Sequence, residues 1–232
     1  MADKYVTAII LAGGRGERMG STLPKQNIEI LGEKILDRTV SAFERCALIN
    51  AIVVVLRPED VFLSGDVLCK KYDKVISVVA GGECRAGSAE LGFAAIPDQT
   101  EYVAIHDAAR CLITPEDIER VVSAAFKYGA ATAVSKINDT VKLLNEEGFI
   151  KETVSRDRLY KAGTPQVFSA LKYREALSRL DGDFSSITDD NMIMEHYGES
   201  IFAVDIGGEN IKVTTPSDLL YAEFLLSKRS SK

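Results

Sequence analysis

Short apolar runs rich in β-branched residues alternate along this chain with segments of helical pattern. Five runs are predicted to be strands, at residues 6–11, 51–56, 75–79, 102–106 and 131–134. Four segments are predicted to be helices, at residues 34–46, 58–72, 88–95 and 115–128. This alternation predicts an α/β fold with a doubly wound, mostly parallel sheet that helices cover on both faces. Ligands bind beyond the carboxyl ends of such strands, so a site is expected in the loops that follow them.

Capping residues mark two of the helix starts. Thr114 precedes Pro115 and an acidic residue, a typical first turn, and residues 215–218 repeat the pattern for a last helix. The polar tail after Leu226 carries no pattern and is predicted to be disordered.

Composition places the chain among ordinary globular proteins. With 232 residues, of which 46% are hydrophobic and 27% charged, it fits a single domain spanning 1–232. The net charge of −6 argues against a nucleic-acid partner, which usually requires a basic surface. A small anionic substrate stays possible, because a few Lys and Arg side chains can be focused in one cleft.

The sequence also argues against a membrane protein and against a protein stabilised by disulfides. No apolar run approaches the ~20 residues of a membrane span, and the first run ends in glycines, which is typical of a strand rather than a signal peptide. Cys46, Cys69, Cys84 and Cys111 form no C-x-x-C pair. They are predicted to be reduced thiols of a cytoplasmic protein, with a zinc site or a disulfide framework as the alternative.

One segment breaks the alternation. Residues 141–144 and 149–154 are amphipathic and flank Asn-Glu-Glu-Gly at 145–148, which predicts a protruding β-hairpin. An isolated hairpin is marginally stable, so this one is expected to pack on a partner.

The loop after the first strand carries glycines at 13, 14 and 16 together with Arg15, Arg18 and Lys25. It fails both the G-x-G-x-x-G dinucleotide fingerprint and the Walker A pattern. Glycines let backbone N–H groups approach phosphate oxygens, and three nearby cations suit a triphosphate. The alternative is a simple tight turn whose cations face solvent.

Four further polar segments are candidates. Residues 106–110 follow a strand end and offer an Asp and an Arg for a phosphorylated, hydroxylated substrate, or form only a loop salt bridge; His106 is predicted to be structural. Residues 81–88 could contact a base or ribose, or only start a helix that Ser88 caps. Residues 210–214 place a Lys in a short strand, where the residues alone favour a side chain that faces solvent. Residues 188–190 open a helix capped by its Thr, and the adjacent acids are a weak metal signal.

Together these segments resemble the family of 2-C-methyl-D-erythritol 4-phosphate cytidylyltransferases over about residues 6–225. The shared motifs lie at 11–19, 24–26, 81–88, 106–110, 139–142, 153–156, 164–166, 188–190 and 210–214. The resemblance implies a Rossmann-like nucleotidyltransferase fold. It also implies transfer of the CMP moiety of CTP to 2-C-methyl-D-erythritol 4-phosphate, giving 4-diphosphocytidyl-2-C-methyl-D-erythritol and pyrophosphate.

The resemblance also implies roles for individual residues. The catalytic cations would be Arg18, Lys25, Arg156 and Lys212, the first two on the triphosphate and the last two on the substrate phosphate. CTP would bind at Ala12, Gly13, Gly14, Gly81, Glu83 and Ser88. The methylerythritol phosphate would bind at Asp107, Arg110, Thr140 and Thr188. Such a transfer needs alignment and charge compensation rather than a protein nucleophile.

Mg²⁺ is implied as the cofactor, bound mainly through the CTP phosphates and without a protein metal site. A homodimer is implied in which hairpin arms at 139–156 interlock and carry Thr140 and Arg156 into the partner's site. Neither a nucleic acid nor a membrane is an expected partner.

The chain departs from the family pattern at Cys111, where Pro is usual, at Gly163, where Gln is common, and at Asp190, where Glu is usual. Three alternatives stay open: a ribitol-5-phosphate cytidylyltransferase, a non-catalytic nucleotide-binding regulator on the same scaffold, and an NAD(P)-dependent oxidoreductase. Thr153 and the sequence at 188–190 favour methylerythritol phosphate over ribitol phosphate, and the failed fingerprint disfavours the oxidoreductase.

Overall fold

The computed structural model describes residues 4–14, 28–180, 184 and 186–230. The strands in this part of the chain are β1 (Val6–Leu11), β2 (Glu29–Ile30), β3 (Glu33–Lys34), β4 (Ala51–Leu56), β5 (Val75–Ala80), β6 (Tyr102–Asp107), β7 (Ala130–Lys136), β8 (Val141–Leu144), β9 (Ile150–Val154), β10 (Tyr160–Ser169) and β11 (Phe202–Asp205). The helices are α1 (Ile35–Arg45), α2 (Pro58–Lys71), α3 (Arg85–Ala94), α4 (Pro115–Tyr128), α5 (Ala170–Ser178), α6 (Asp190–Tyr197) and α7 (Pro216–Ser230).

Seven strands form the central sheet in the order β11-β7-β10-β6-β1-β4-β5. The pairs β1–β4, β1–β6, β4–β5 and β7–β11 are parallel, whereas β10 runs antiparallel to both of its neighbours. The predicted doubly wound, mostly parallel sheet is therefore confirmed.

The sheet has a hydrophobic core on each face, and β1 shows why. All six of its residues are buried, and they alternate between the two cores: Ala8 and Ile10 pack against α1, α2 and α4, while Ile9 and Leu11 pack against α3, α5 and α6. A strand buried on both faces reads as an unbroken apolar run, and that is why the sequence predicted it. A third, smaller cluster joins α7 to Ile30 and Ile35.

Helix starts follow their capping groups. The Thr114 hydroxyl accepts a hydrogen bond from Asp117 N, which confirms the predicted start of α4. The predicted start of α3 at Ser88 is wrong, because the Cys84 thiol caps the helix by accepting from Gly87 N and α3 begins at Arg85. The cap of α6 is Asp189 rather than Thr188.

Four strands, β2, β3, β10 and β11, and the helix α5 were not predicted. The segment around Lys212 is irregular rather than a strand. The predicted disorder after Leu226 is also wrong, since α7 continues to Ser230. Arg229 explains this extension, because its guanidinium donates to Leu112 O at 2.7 Å and pairs with Glu209 at 2.9 Å.

The predicted hairpin is present as β8 and β9, which form a two-stranded sheet apart from the central one. Gly148 closes its turn with φ of 89°, a conformation that favours glycine. Leu144, Phe149 and Ile150 are more than half exposed, at 53%, 69% and 63%. The hairpin therefore presents an apolar surface that no described residue covers.

No disulfide joins the four cysteines. None of the helices in the described ranges is long and apolar enough to cross a membrane.

Candidate active site

The carboxyl ends of β1, β4, β5 and β6 border a cleft with a volume of about 850 Å³. Eight of the predicted site residues line it: Ala12, Gly13, Gly14, Gly81, Glu83, Ser88, Asp107 and Lys212. These residues come from four separate loops, so the fold brings together most of what the motifs suggested. Arg57 also lines the cleft and was not predicted. Arg85 lines it too; it belongs to the candidate segment 81–88, but it was given no role of its own.

The other predicted residues lie elsewhere. Arg110 sits beside Asp107 at the rim of the cleft. Thr140 and Arg156 lie at the two ends of the hairpin and are exposed, and Arg156 donates to the backbone oxygen of Asn138. Thr188 is exposed and contacts the Met192 sulfur at 3.6 Å.

Arg18 and Lys25 lie outside the described residues, together with Arg15. The predictions for them therefore stay predictions.

Gly81 and Ser88 lie in close contact and form one wall of the cleft. A Cβ at position 81 would lie 2.8 Å from the Ser88 oxygen and 3.2 Å from a Val55 methyl group, so only glycine fits there. Ser88 Oγ donates to Cys84 O at 2.9 Å and accepts from Gly82 N at 3.1 Å. The Ser88 hydroxyl thus ties the loop to α3 and leaves the backbone at Gly81 open to a ligand.

Asp107 is the centre of charge in the cleft. Its Oδ1 accepts from Arg85 Nε at 3.0 Å, and its Oδ2 accepts from Lys212 Nζ at 2.8 Å. Arg110 Nε lies 3.7 Å from the same Oδ2. Arg85 also pairs with Asp190 at 2.7 Å, so three cations meet two carboxylates here and the cluster keeps one net positive charge for an anionic ligand.

Burial would raise the pKa of Asp107, but the charges of Arg85, Lys212 and Arg110 outweigh it and hold the pKa well below its ordinary 3.8. Burial lowers the pKa of the Arg110 guanidinium, with Asp107 opposing that effect. Asp107 is accordingly ionised at neutral pH and acts as a fixed anion rather than as a general base.

His106 is buried behind the cleft, as the sequence predicted for a structural histidine. Its Nδ1 lies 2.9 Å from the Thr164 hydroxyl, and its Nε2 lies 3.4 Å from Arg110 O. The same hydroxyl accepts from Asp107 N at 3.1 Å, so it donates its own proton to Nδ1 and leaves the imidazole proton on Nε2. Burial is the main cause that lowers the pKa of His106 to about 3.

This histidine predicts an acid sensitivity. Below pH 6.5 the unfolded chain protonates His106, whereas the folded chain does not until about pH 3, so the unfolded state gains stability as the pH falls through that window. We expect the free energy of unfolding to drop by on the order of 1 kcal/mol per pH unit from this group. Urea titrations between pH 7.5 and 5 measure it.

His106→Gln should flatten that slope, and His196→Gln should leave it unchanged, because His196 is exposed. An unaltered slope in His106→Gln would assign the acid sensitivity to other groups.

The segment that carries Lys212 is held by its neighbours. Val213 is fully buried and its N–H donates to Ala109 O at 2.8 Å. Arg110 Nη1 donates to Asn210 O at 3.0 Å. An irregular segment is thereby fixed against the loop after β6, which explains how Lys212 reaches the cleft without a strand.

Gly163 and Cys111 are two of the chain's departures from the family pattern. A Cβ at Gly163 would lie 3.3 Å from Ala133 O, a tight contact, and 3.8 Å from the Arg110 guanidinium. Cys111 is buried in the cluster beneath α7, next to Leu112. Neither residue lines the cleft.

The sequence of this chain is similar to one protein family over almost its whole length. The family model described as IspD, 2-C-methyl-D-erythritol 4-phosphate cytidylyltransferase, matches residues 6–228. The chain is 36% identical over 223 residues to the 2-C-methyl-D-erythritol 4-phosphate cytidylyltransferase of Clostridium botulinum strain Okra, covering 96% of this chain and 97% of that protein. It is 37% identical over 225 residues to the protein of the same name from Clostridium acetobutylicum, covering 96% and 98%.

The fold of this chain is also similar to that of a solved structure. The crystal structure of 4-diphosphocytidyl-2C-methyl-D-erythritol synthase from Anaerococcus prevotii superposes with a TM-score of 0.87 at 30% identity, covering 97% of each chain. A match of sequence over nearly the full length and of fold over the same span shows that this chain belongs to the 2-C-methyl-D-erythritol 4-phosphate cytidylyltransferase family.

Proposed function

We propose that this chain is an enzyme that transfers the CMP moiety of CTP to 2-C-methyl-D-erythritol 4-phosphate, with release of pyrophosphate. The observation that carries this proposal is the cleft at the carboxyl ends of β1, β4, β5 and β6. There a glycine-bounded wall faces the Asp107 cluster of cations. Such a cleft suits a ligand with a flat base at one end and phosphates at the other.

The nucleotide would occupy the side of the cleft formed by the loops after β1 and β5. Ala12 is fixed by its N–H bond to Val55 O at 2.7 Å, and Gly81 by a similar bond to Leu56 O at 2.7 Å. Backbone held this firmly and free of side chains can approach a nucleotide closely. Glu83 and Ser88 lie on the same wall and would contact the base or ribose.

The substrate phosphate would occupy the opposite side, near Lys212. One of its oxygens attacks the α-phosphorus of CTP, the bond from that phosphorus to the bridging oxygen breaks, and pyrophosphate leaves. Lys212 and Arg156 would place the attacking phosphate, while Arg18 and Lys25 would compensate charge on the triphosphate. Asp107, Arg110, Thr140 and Thr188 would surround the methylerythritol. Fixed cations of this kind stabilise the charge that shifts to the leaving group.

Mg²⁺ would be the cofactor, held mainly by phosphate oxygens. The described residues contain no group of three or more potential metal ligands. Glu83 is a carboxylate of the cleft lining, a donor type that Mg²⁺ accepts beside phosphates and water, whereas both oxygens of Asp107 are taken by Arg85 and Lys212. When bound, the metal would neutralise charge on the triphosphate.

The chain is proposed to act as a homodimer through the hairpin arm at 139–156. The apolar side chains of Phe149 and Ile150 are exposed at 69% and 63%, an arrangement that a partner surface would cover. Thr140 and Arg156 flank this hairpin, so an arm laid across a second copy would bring both to the second cleft.

We expect Phe149→Asp to convert the dimer into a monomer, because a charge would have to be buried in the interface. Sedimentation velocity measures the change. Leu171→Asp is the matched control, since Leu171 is 61% exposed on α5, outside the arm, and should stay dimeric. A wild type that sediments as a monomer would remove the arm from the proposal.

The activity is tested by incubating the protein with CTP and Mg²⁺ and either 2-C-methyl-D-erythritol 4-phosphate or ribitol 5-phosphate, and following pyrophosphate. Release with methylerythritol phosphate alone supports the proposal. Release with ribitol phosphate alone keeps the chemistry and replaces the substrate. Binding of CTP without turnover of either would favour the non-catalytic regulator.

A further inference from the structure

A line of polar groups runs from the core behind the cleft to Lys212. The Tyr173 hydroxyl donates to Asp190 Oδ1 at 2.7 Å, and Asp190 Oδ2 accepts from Arg85 Nη1 at 2.7 Å. Arg85 Nε donates to Asp107 Oδ1 at 3.0 Å, and Asp107 Oδ2 accepts from Lys212 Nζ at 2.8 Å. We call these five residues the anchoring chain.

One end of the anchoring chain is buried in the core, and the other end is accessible to solvent. Asp190 and Tyr173 are fully buried. The exposed fraction of the side chain is 22% for Arg85 and 39% for Lys212. A buried carboxylate requires a hydrogen-bonded counter-ion, so Asp190 fixes the Arg85 guanidinium tightly.

Arg85 divides its donors between two carboxylates. Nη1 serves Asp190 and Nε serves Asp107, whereas Nη2 is buried without a hydrogen-bond partner among the described residues. A guanidinium prefers to bind one carboxylate through two parallel N–H bonds. Without Asp190, Arg85 can turn so that Nε and Nη2 take both oxygens of Asp107.

Such a turn would displace Lys212, because its ammonium depends on Asp107 Oδ2. We propose that Asp190 is a positioning residue, which holds Arg85 in a shared geometry and so keeps Asp107 Oδ2 available to orient Lys212 in the cleft. This inference rests on the proposed function, in which Lys212 places the substrate phosphate. It adds to that function a residue from α6 that does not line the cleft.

Asp190→Asn tests the proposal, because it keeps the shape and turns the acceptor that faces Arg85 into an amide. We expect kcat to fall at least about tenfold, since a misplaced group costs that much in an aligned transfer. KM for CTP should change little, because the hydrogen bonds that hold Gly81 and Ser88 go to Leu56, Gly82 and Cys84 rather than to Asp190. Asp190→Glu restores the charge and should recover most of the rate.

Asp37→Asn is the matched control. Asp37 lies on α1 outside the cleft lining, and its Oδ1 likewise accepts from a tyrosine hydroxyl, that of Tyr72 at 3.0 Å, and pairs with a cation, Lys71 at 2.9 Å. We expect wild-type kcat from it. If Asp190→Asn and Asp37→Asn lose activity equally, the effect is a general loss of stability and the proposal is wrong.

A second measurement needs no turnover. Without substrate, an amine-acetylating reagent followed by peptide mass spectrometry should modify Lys212 several-fold faster in Asp190→Asn than in the wild type. Lys71 is the internal standard, since its exposed fraction is 49% and it joins α2 to α1 by pairing with Asp37 at 2.9 Å, outside the anchoring chain. Its rate should not change.

The two measurements separate the outcomes. If the wild type turns over neither substrate, the proposed function fails, while the acetylation rate of Lys212 still tests the link to Asp190. Equal acetylation of Lys212 in both proteins overturns the inference. If Asp190→Asn does not fold, Tyr173→Phe removes only one hydrogen bond from Asp190 and should shift the Lys212 rate in the same direction by less.

Discussion

Lys212→Gln should lower kcat/KM for methylerythritol phosphate roughly 10²–10³-fold, by analogy with the loss of one group that stabilises transition-state charge. Lys212 is the most exposed of the cations on Asp107, with 39% of its side chain accessible, against 22% for Arg85 and 17% for Arg110. The other two remain on Asp107 in the variant, so the carboxylate stays paired. The loss should therefore be one of rate rather than of folding.

Pyrophosphate release at saturating CTP measures this effect, and thermal unfolding verifies that the variant is folded. Lys172→Gln is the control, since it removes a lysine of similar exposure outside the cleft. A Lys212→Gln enzyme within a few-fold of wild type would mean that the substrate phosphate binds elsewhere.

Arg85→Met should destabilise the fold by about 3–5 kcal/mol at pH 7, the range for breaking a buried ion pair from one side. Burial alone would lower the pKa of Arg85, but Asp190 and Asp107 raise it above its ordinary value, so the charge is firmly held. Methionine fills similar volume and supplies no donor. Among the described residues, the fully buried Asp190 would then keep only the hydroxyl of Tyr173 as a side-chain donor.

Urea titration measures the loss. Arg120→Met provides the contrast: Arg120 is 53% exposed and pairs with Asp117 at the surface, so its loss should cost at most about 1 kcal/mol. Equal losses from the two variants would mean that the buried ion pair of Arg85 contributes no more than a surface one.

The strands that the sequence predicted are those whose residues all face a core. β1 and β4 are buried along their whole length, so each forms a short continuous apolar run that clearly indicates a strand. β10 was missed because it contains Gly163 and Pro165, residues that usually interrupt a strand. Its pairing with β7 shifts register between Ala162 and Gln166, so the interruption lies at an irregularity that only the neighbouring strand reveals.

The structure brings predicted residues together in one cleft where a motif lies at the end of a strand, as at Gly81 and Asp107. The thiol cap of α3 was missed because cysteine is not among the preferred capping residues. Arg85 and Asp190 each lie in a motif that the sequence shows. The ion pair between them could not be predicted, because nothing in a single sequence indicates which residue of α3 contacts which residue of α6. The charge network is a product of topology rather than of local sequence.

The distance along the chain between those two residues has a kinetic consequence. The Arg85–Asp190 bond joins positions 105 residues apart and spans the whole hairpin and β10. Loop-closure entropy opposes such a long-range contact until other contacts compensate it. We therefore expect activity to recover during refolding later than the helical structure, whose hydrogen bonds are local.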